Sequence, residues 1–257
     1  MKSFHRVWMI AQNSFMEARY NKVLHIALGF AAILIVFSLF LGQVSLHQNI
    51  KVVKDVGMAT ISLFGIFVAI FLGVNSLYRE LEHRTIYAIV SKPIRRFEIL
   101  LGKYLGMLMV LTTSVVAMTL FLYVVTVFIE HRIDWNLLPA LALILIELFI
   151  VAALGIFFSS FSTPFLSGFF TMGLFLVGRV SSELGAFGER SDDFFFRLLS
   201  IGVQKVFDLQ AFNLRAEVVH GIPIYREDFW LPIFYAFFLI VIVLFVSFQI
   251  FKKRDFK

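Results

Sequence analysis

The chain has 257 residues, of which 60% are hydrophobic and 16% charged, and its mean hydropathy is +0.89. A soluble domain is about 45–50% apolar and about 25% charged, so this composition excludes an ordinary soluble enzyme or binding module. The absence of cysteine excludes disulfides and thiolate metal centres, and the net charge of +6 is spread over short flanks between apolar runs, a membrane pattern rather than a nucleic-acid one.

Residues 1–22 carry Phe4, Val7, Trp8, Ala11, Phe15 and Ala18 at helical spacing, with Arg6, Gln12, Asn13 and Arg19 between them. That spacing predicts an amphipathic helix lying at a membrane interface. Glu17 and the lack of a continuous apolar core argue against a cleavable signal peptide. A helix needs about 20 apolar residues to cross the hydrocarbon core. Residues 23–41, 58–78 and 104–129 meet that length as spans one to three, and 231–250 as the last span. The run 137–178 is too long for one crossing and holds a single charge, Glu147. Ser159, Ser160, Ser162, Thr163 and Pro164 can end one helix and start another, so this run divides into spans four and five joined by a tight hairpin. The segment 179–230 is rich in Phe194, Phe195, Phe196, Leu198, Leu199, Ile201, Val203, Val206 and Phe207. These residues predict a helix that dips into the outer leaflet or packs on the bundle. The reading is one all-α polytopic membrane domain over 1–257, with six transmembrane helices and no internal repeat.

Charge orients it. With both termini cytoplasmic, segments 1–22, 79–103 and 251–257 hold fourteen Lys/Arg against five Asp/Glu. Segments 42–57, 130–136 and 179–230 then lie outside, with nine Lys/Arg against eleven Asp/Glu. Positive charge gathers on the cytoplasmic side of bilayers, so this orientation is expected. Trp8, Trp135 and Trp230 fall near span ends, as interfacial anchors do.

The loop 79–103 is the most informative stretch. Residues 79–90 can form a short charged helix, and Pro93 stiffens its exit. A short stiff helix between two spans suits force transmission; a basic loop binding anionic lipid is the plainer alternative. The pattern is Glu80-x-Glu82-x-x-Thr85, then Ile89, Ser91-x-Pro93, Arg96 and Gly102-Lys103. It resembles the coupling region of permeases in the type-2 ABC-exporter superfamily, with Ile89 replacing the usual Leu. Three further stretches resemble that family. Glu17-Ala18-Arg19 matches the helix leading into its first span, and Ser160-x-Ser162-x-Pro164 its hairpin between spans four and five. Phe251-Lys252-Lys253-Arg254-Asp255-Phe256 matches its C-terminal ending.

The resemblance implies a permease that pairs with itself or with a second permease, as a homodimer or heterodimer, in a bacterial or archaeal plasma membrane. It also implies docking on cytoplasmic ABC ATPase subunits that bind ATP and Mg, with contact through Glu80, Leu81, Glu82, Thr85, Ile86, Ile89, Pro93 and Arg96. A P-loop requires G-x-x-x-x-G-K-[ST], and Gly102-Lys103 is followed by Tyr104, so no nucleotide site is expected in this chain. No cofactor, metal or catalytic group is expected here either. Glu82-His83-Arg84 and Glu130-His131-Arg132 repeat a tripeptide but fall on opposite faces, and no H-E-x-x-H occurs. Gly102-x-x-x-Gly106 allows close helix approach, most simply within the chain.

Glu147 has two readings. It is an intramembrane functional group, or a protonated or hydrogen-bonded acid that fixes packing against Ser, Thr or Tyr of a neighbour, with no second buried charge to pair with in a relay. On the second reading Glu147→Gln retains function. Arg179 is expected to snorkel outward. Two other function classes stay in view: a structural membrane component of a larger machine, and a secondary transporter. The latter calls for a repeat or more buried polar groups than the spans contain.

Overall fold

The computed structural model describes residues 2–44, 48–82, 96–190 and 193–253. The described residues are helical with no strand. The helices are α1 (Lys2–Arg19), α2 (Lys22–Val44), α3 (Asn49–Glu82), α4 (Arg96–Glu130), α5 (Leu137–Ser159), α6 (Pro164–Arg179), α7 (Ser181–Glu189), α8 (Phe194–Val206), α9 (Arg215–His220) and α10 (Arg226–Lys253), with a 3₁₀ turn at Gln210–Phe212. Five of these are long and apolar enough to cross a membrane: α2, α3, α4, α5 and α10. A sixth crossing is made if α6 and α7, bent 58° to one another, count as one broken span.

Local sequence sets the breaks. The Asn21 side chain accepts the Val23 N–H at 3.0 Å and so caps α2 after the turn from α1. Thr163 is extended (φ −77°, ψ 160°) and Pro164 opens α6, where its fixed φ suits a first helical turn and its missing N–H is not needed. His131, at φ 55°, ends α4 in the left-handed conformation.

Two helices run further than their apolar cores. α3 starts at Asn49, well before residue 58, and α4 starts at Arg96 rather than residue 104. The reason for the first is Lys54, whose ammonium is neutralised by Glu130 at 3.0 Å and Asp134 at 2.7 Å. A paired charge does not end a helix as a free one does at the edge of hydrocarbon. Residues 79–82 are the last turn of α3 and continue that helix; the remainder of the expected 79–90 helix lies outside the described residues.

The core is centred on α5. Its most apolar window is 67% buried, against 22% for α2 and for α10, so these two are peripheral in the chain. α3 crosses α5 at Gly73 and Gly155, where a Cβ on either would come within 2.9 Å of the other's Cα. Ser159 Oγ donates to the Val74 carbonyl (3.1 Å) beside this crossing, and Tyr104 Oη to that of Phe149 (3.1 Å). The amphipathic α1 lies on the start of α4. Val7 and Ala11 are buried there, and Phe15 and Ala18 partly so, whereas Phe4 and Trp8 are exposed. Gly102 faces Ile10 and Gly106 faces Ser14, so that pair of glycines serves packing inside the chain.

The segment after α6 packs on the bundle. Leu209 and Phe212 are fully buried, and Phe207, Leu214 and Val218 nearly so. Leu209 N–H donates to the Gly178 carbonyl at 3.0 Å, and the Phe207 ring fills the space a Cβ at Gly178 would need. α8 is turned the other way. Ser200 is buried against Gly188, while Phe194, Phe195, Leu198 and Leu199 stand outward as an exposed apolar face.

Candidate functional site

Three groups of polar side chains stand at different depths of the bundle. The first gathers at the end that carries the α5–α6 hairpin. Arg96, the first residue of α4, donates to the Phe251 and Lys252 carbonyls of α10, each at 3.1 Å. These carbonyls lie in a helix's last turn, where partners along the helix run out. Lys103 donates to the Ser76 carbonyl of α3, and Arg6 of α1 approaches Glu98 of α4 at 3.8 Å. Four helices are thus tied together on both sides of the α3–α4 connection. Of the residues expected to couple, Glu80, Leu81 and Glu82 form the end of α3, and Arg96 begins α4. Thr85, Ile86, Ile89 and Pro93 lie outside the described residues.

The second group is inside the membrane. Glu147 is the eleventh residue of the 23-residue α5, about 15 Å from its start at 1.5 Å per residue. It is fully buried, and Arg179 donates to its Oε1 at 2.7 Å. Glu147 Oε2 is buried without a hydrogen-bond partner among the described residues. The expectation that Arg179 snorkels outward, and that Glu147 has no charged partner, is therefore corrected. The reason is the length of α6: 16 residues rise about 24 Å, less than the roughly 30 Å hydrocarbon core. A helix of that rise is too short to carry Arg179 from one edge of such a core to the other, and the structure pairs it with Glu147 instead. Arg215 of α9 adds its field to the pair, as does Asp55 of α3 to Arg215. Burial, and then the charge of Arg179, lower the Arg215 pKa from its ordinary value, against the opposing pull of Asp55 and Glu147.

The third group, at the opposite end, is Lys54 with Glu130 and Asp134. Tyr123 Oη donates to the Asp134 carbonyl at 3.0 Å and fixes the α4–α5 turn. Burial pushes the Asp134 carboxyl up, but the Lys54 hydrogen bond, the Asn136 N–H and the charges of Lys54 and Arg132 outweigh it, leaving it below its ordinary value. Among the described residues no group of three or more His, Asp or Glu side chains is placed to hold a metal ion.

The sequence offers no signal for Lys54 with Glu130 and Asp134, or for Arg215 beside Glu147. These partners are 68 to 80 residues apart and belong to no periodic pattern. Arg179 and Glu147 were each visible as charges in or at the end of a span; their pairing was not.

Residues 8–189 match the family described as ABC-2 family transporter protein. The chain belongs to that family. This ABC-2 permease is accordingly a multi-pass membrane protein, and its family works with an ABC ATPase supplied by a partner subunit. The matched region of the permease runs from α1 through α7 and includes the α3–α4 connection and the Glu147–Arg179 pair. No curated protein matches it.

Proposed function

We propose that this permease is the membrane half of an exporter, and that the α3–α4 connection is the element its ATPase moves. The observation that carries the reading is where the Glu80-x-Glu82-x-x-Thr85 stretch falls. α3 has 34 residues and rises about 50 Å, well beyond a roughly 30 Å core, so it carries Glu80 and Glu82 out of the bilayer on a continuous helix. α4 resumes at Arg96, bound to α10, and its next turns are bound to α1 and α3. A displacement applied to the end of α3 or the start of α4 is passed through these bonds into four helices.

In this reading Glu80 and Glu82 meet basic or amide groups of the ATPase, and Leu81, Ile86 and Ile89 supply the apolar contact. Thr85, Pro93 and Arg96 shape the segment. ATP and Mg bind the partner. The permease works as a homodimer or with a second permease in a bacterial or archaeal plasma membrane, with both termini cytoplasmic, and moves its substrate out of the cytoplasm or inner leaflet.

The test is Glu80→Lys with Glu82→Lys in one chain, scored by ATPase co-purification and by substrate-stimulated ATP turnover. Lost pairing and new repulsion should reduce both at least tenfold, about 1.4 kcal/mol or more. A lipid-binding loop behaves in the opposite way, since removing acids strengthens its attraction to an anionic leaflet. A double variant that binds and couples like wild type sinks the assignment.

A further inference from the structure

At the end of the bundle opposite the hairpin, the α4–α5 turn, α9 and the start of α10 enclose a pocket of about 400 Å³. Its walls include Glu217, Arg226, Trp135, Tyr225 and Trp230. Glu217 Oε2 is buried and has no hydrogen-bond partner among the described residues. An unpaired buried carboxylate oxygen is costly, and such groups are normally satisfied by protein, water or ligand. The pocket is built by the backbone. Gly221, at φ 69°, closes α9 with Ile222 N–H donating to the Glu217 carbonyl (2.8 Å) and Gly221 N–H to that of Val218 (3.3 Å). That turn brings Ile222, Pro223 and Ile224 back over Glu217 as one wall. Tyr225 is held by its own N–H, which donates to Asp228 at 3.2 Å.

Trp135 belongs to a second cavity as well. This is a groove of about 960 Å³ between α4 and α5, walled by Leu120, Val124, Phe128, Leu138 and Ala142 among others. Its lining is almost wholly apolar. Trp and Tyr sit at headgroup level in membranes. Trp135, Tyr225 and Trp230 therefore set the polar pocket at headgroup depth and the groove at acyl-chain depth, with Trp135 as their common wall.

We propose that pocket and groove together hold one phospholipid with an ammonium-bearing, zwitterionic headgroup. Its ammonium meets the Glu217 carboxylate between the indole faces, where cation–π attraction adds to the ionic bond. Its phosphate meets the exposed Arg226 guanidinium, and its acyl chains lie along the α4–α5 groove. Both charges of the ligand are matched within one pocket. An anionic lipid lacks a group for Glu217 and leaves that carboxylate facing like charge. A bound lipid of this kind clamps the α4–α5 turn to the α9–α10 turn.

The test is native mass spectrometry of the purified full chain, titrated in parallel with dioleoyl phosphatidylethanolamine and dioleoyl phosphatidylglycerol. Wild type should retain the ethanolamine lipid about tenfold better, the value of one charge-assisted bond. Glu217→Gln, which keeps the side-chain shape, should bring that ratio close to one. Arg226→Gln, at an exposed site, should weaken both lipids alike. Ala142→Trp should fill the groove and reduce retention of both without altering the ratio. Equal retention of the two lipids by wild type overturns the proposal, as does a preference that survives Glu217→Gln in protein that melts like wild type.

Discussion

Glu147 and Arg179 form an ion pair at a depth where neither has water to fall back on. Removing one member of a buried pair leaves an uncompensated charge, at a cost of about 3–5 kcal/mol, whereas removing both together can be nearly neutral. This reverses what a lone neutral acid would predict. Glu147→Gln should not be silent, because it strands the Arg179 guanidinium beside a half-satisfied amide. Thermal unfolding in detergent, followed by size-exclusion fluorescence, should show each of Glu147→Gln and Arg179→Gln well below wild type. The double substitution should recover most of the loss. Single variants that melt like wild type would mean that the pair contributes nothing to the fold. Asp134 makes a pH prediction of the opposite accessibility. Its folded pKa lies below the ordinary 3.8, so its contribution is fully present above about pH 4 and is lost as pH falls through the folded value. The bond to Lys54 is charge-assisted and worth about 1.5–3 kcal/mol. Asp134→Asn should lower the melting temperature at pH 7 and flatten its acid decline, with Lys54, Glu130 and Arg132 left in place. A variant with wild-type melting at pH 7 and an unchanged acid slope contradicts this.

At the scale of elements, the α3–α5 crossing holds the bundle together by approach of backbone to backbone. A Cβ at Gly73 would stand 2.8 Å from Gly155 Cα, and the reciprocal distance is 2.9 Å. Neither contact is the far end of a flexible side chain, so the helices must part to admit a methyl group. Gly73→Ala and Gly155→Ala should each destabilise by about 1–3 kcal/mol, the usual cost of overpacking. Gly29 on α2 has nothing within 4 Å of its Cβ position. Gly29→Ala should therefore be neutral or mildly stabilising, since Ala is the better helix former. If all three behave alike, the crossing is not the constraint described. This crossing shows what the sequence could and could not convey. The apolar runs, the Ser-rich break before Pro164 and the amphipathic face of residues 1–22 are local signals, and the helices appear where those signals place them. Gly73 and Gly155 are 82 positions apart, inside runs where a glycine has no periodic meaning. The same holds for Lys54, whose carboxylate partners turn an apparent loop residue into the first turns of α3. The wedge of Phe207, Leu209 and Phe212 was legible as apolar, but its place under the end of α6 depends on Gly178, which hydropathy cannot single out.

Across the whole molecule, the polarity of the two ends follows from which segments meet. Arg96 bonds to the end of α10, Arg6 approaches Glu98, Lys103 reaches Ser76 and Ser159 reaches Val74, so α1, the end of α3, the start of α4, the hairpin and the end of α10 share one end. The α4–α5 turn, α9 and the start of α10 share the other. This grouping is independent of any charge count. It sorts the described residues of segments 1–22, 79–103 and 251–257 to the hairpin end, and in the sequence these segments hold fourteen Lys/Arg against five Asp/Glu. An excess of short-flank basic residues marks the cytoplasmic side, and this supports the proposed orientation, with the hairpin inward and Glu217 outward. The chain contains no cysteine, so single introduced thiols report without background. In intact cells a membrane-impermeant maleimide should label Arg132→Cys and Asp192→Cys at once. It should label Lys92→Cys and Lys252→Cys only after the membrane is opened. Arg132 is chosen because its side chain is 77% exposed at the α4–α5 turn; Asp192 and Lys92 test the two connections that lie outside the described residues. Labelling of Asp192→Cys and Arg132→Cys on opposite sides would break the broken-span arrangement of α6 and α7. Labelling of Lys92→Cys from outside would invert the molecule, and with it the face on which an ATPase could reach the end of α3.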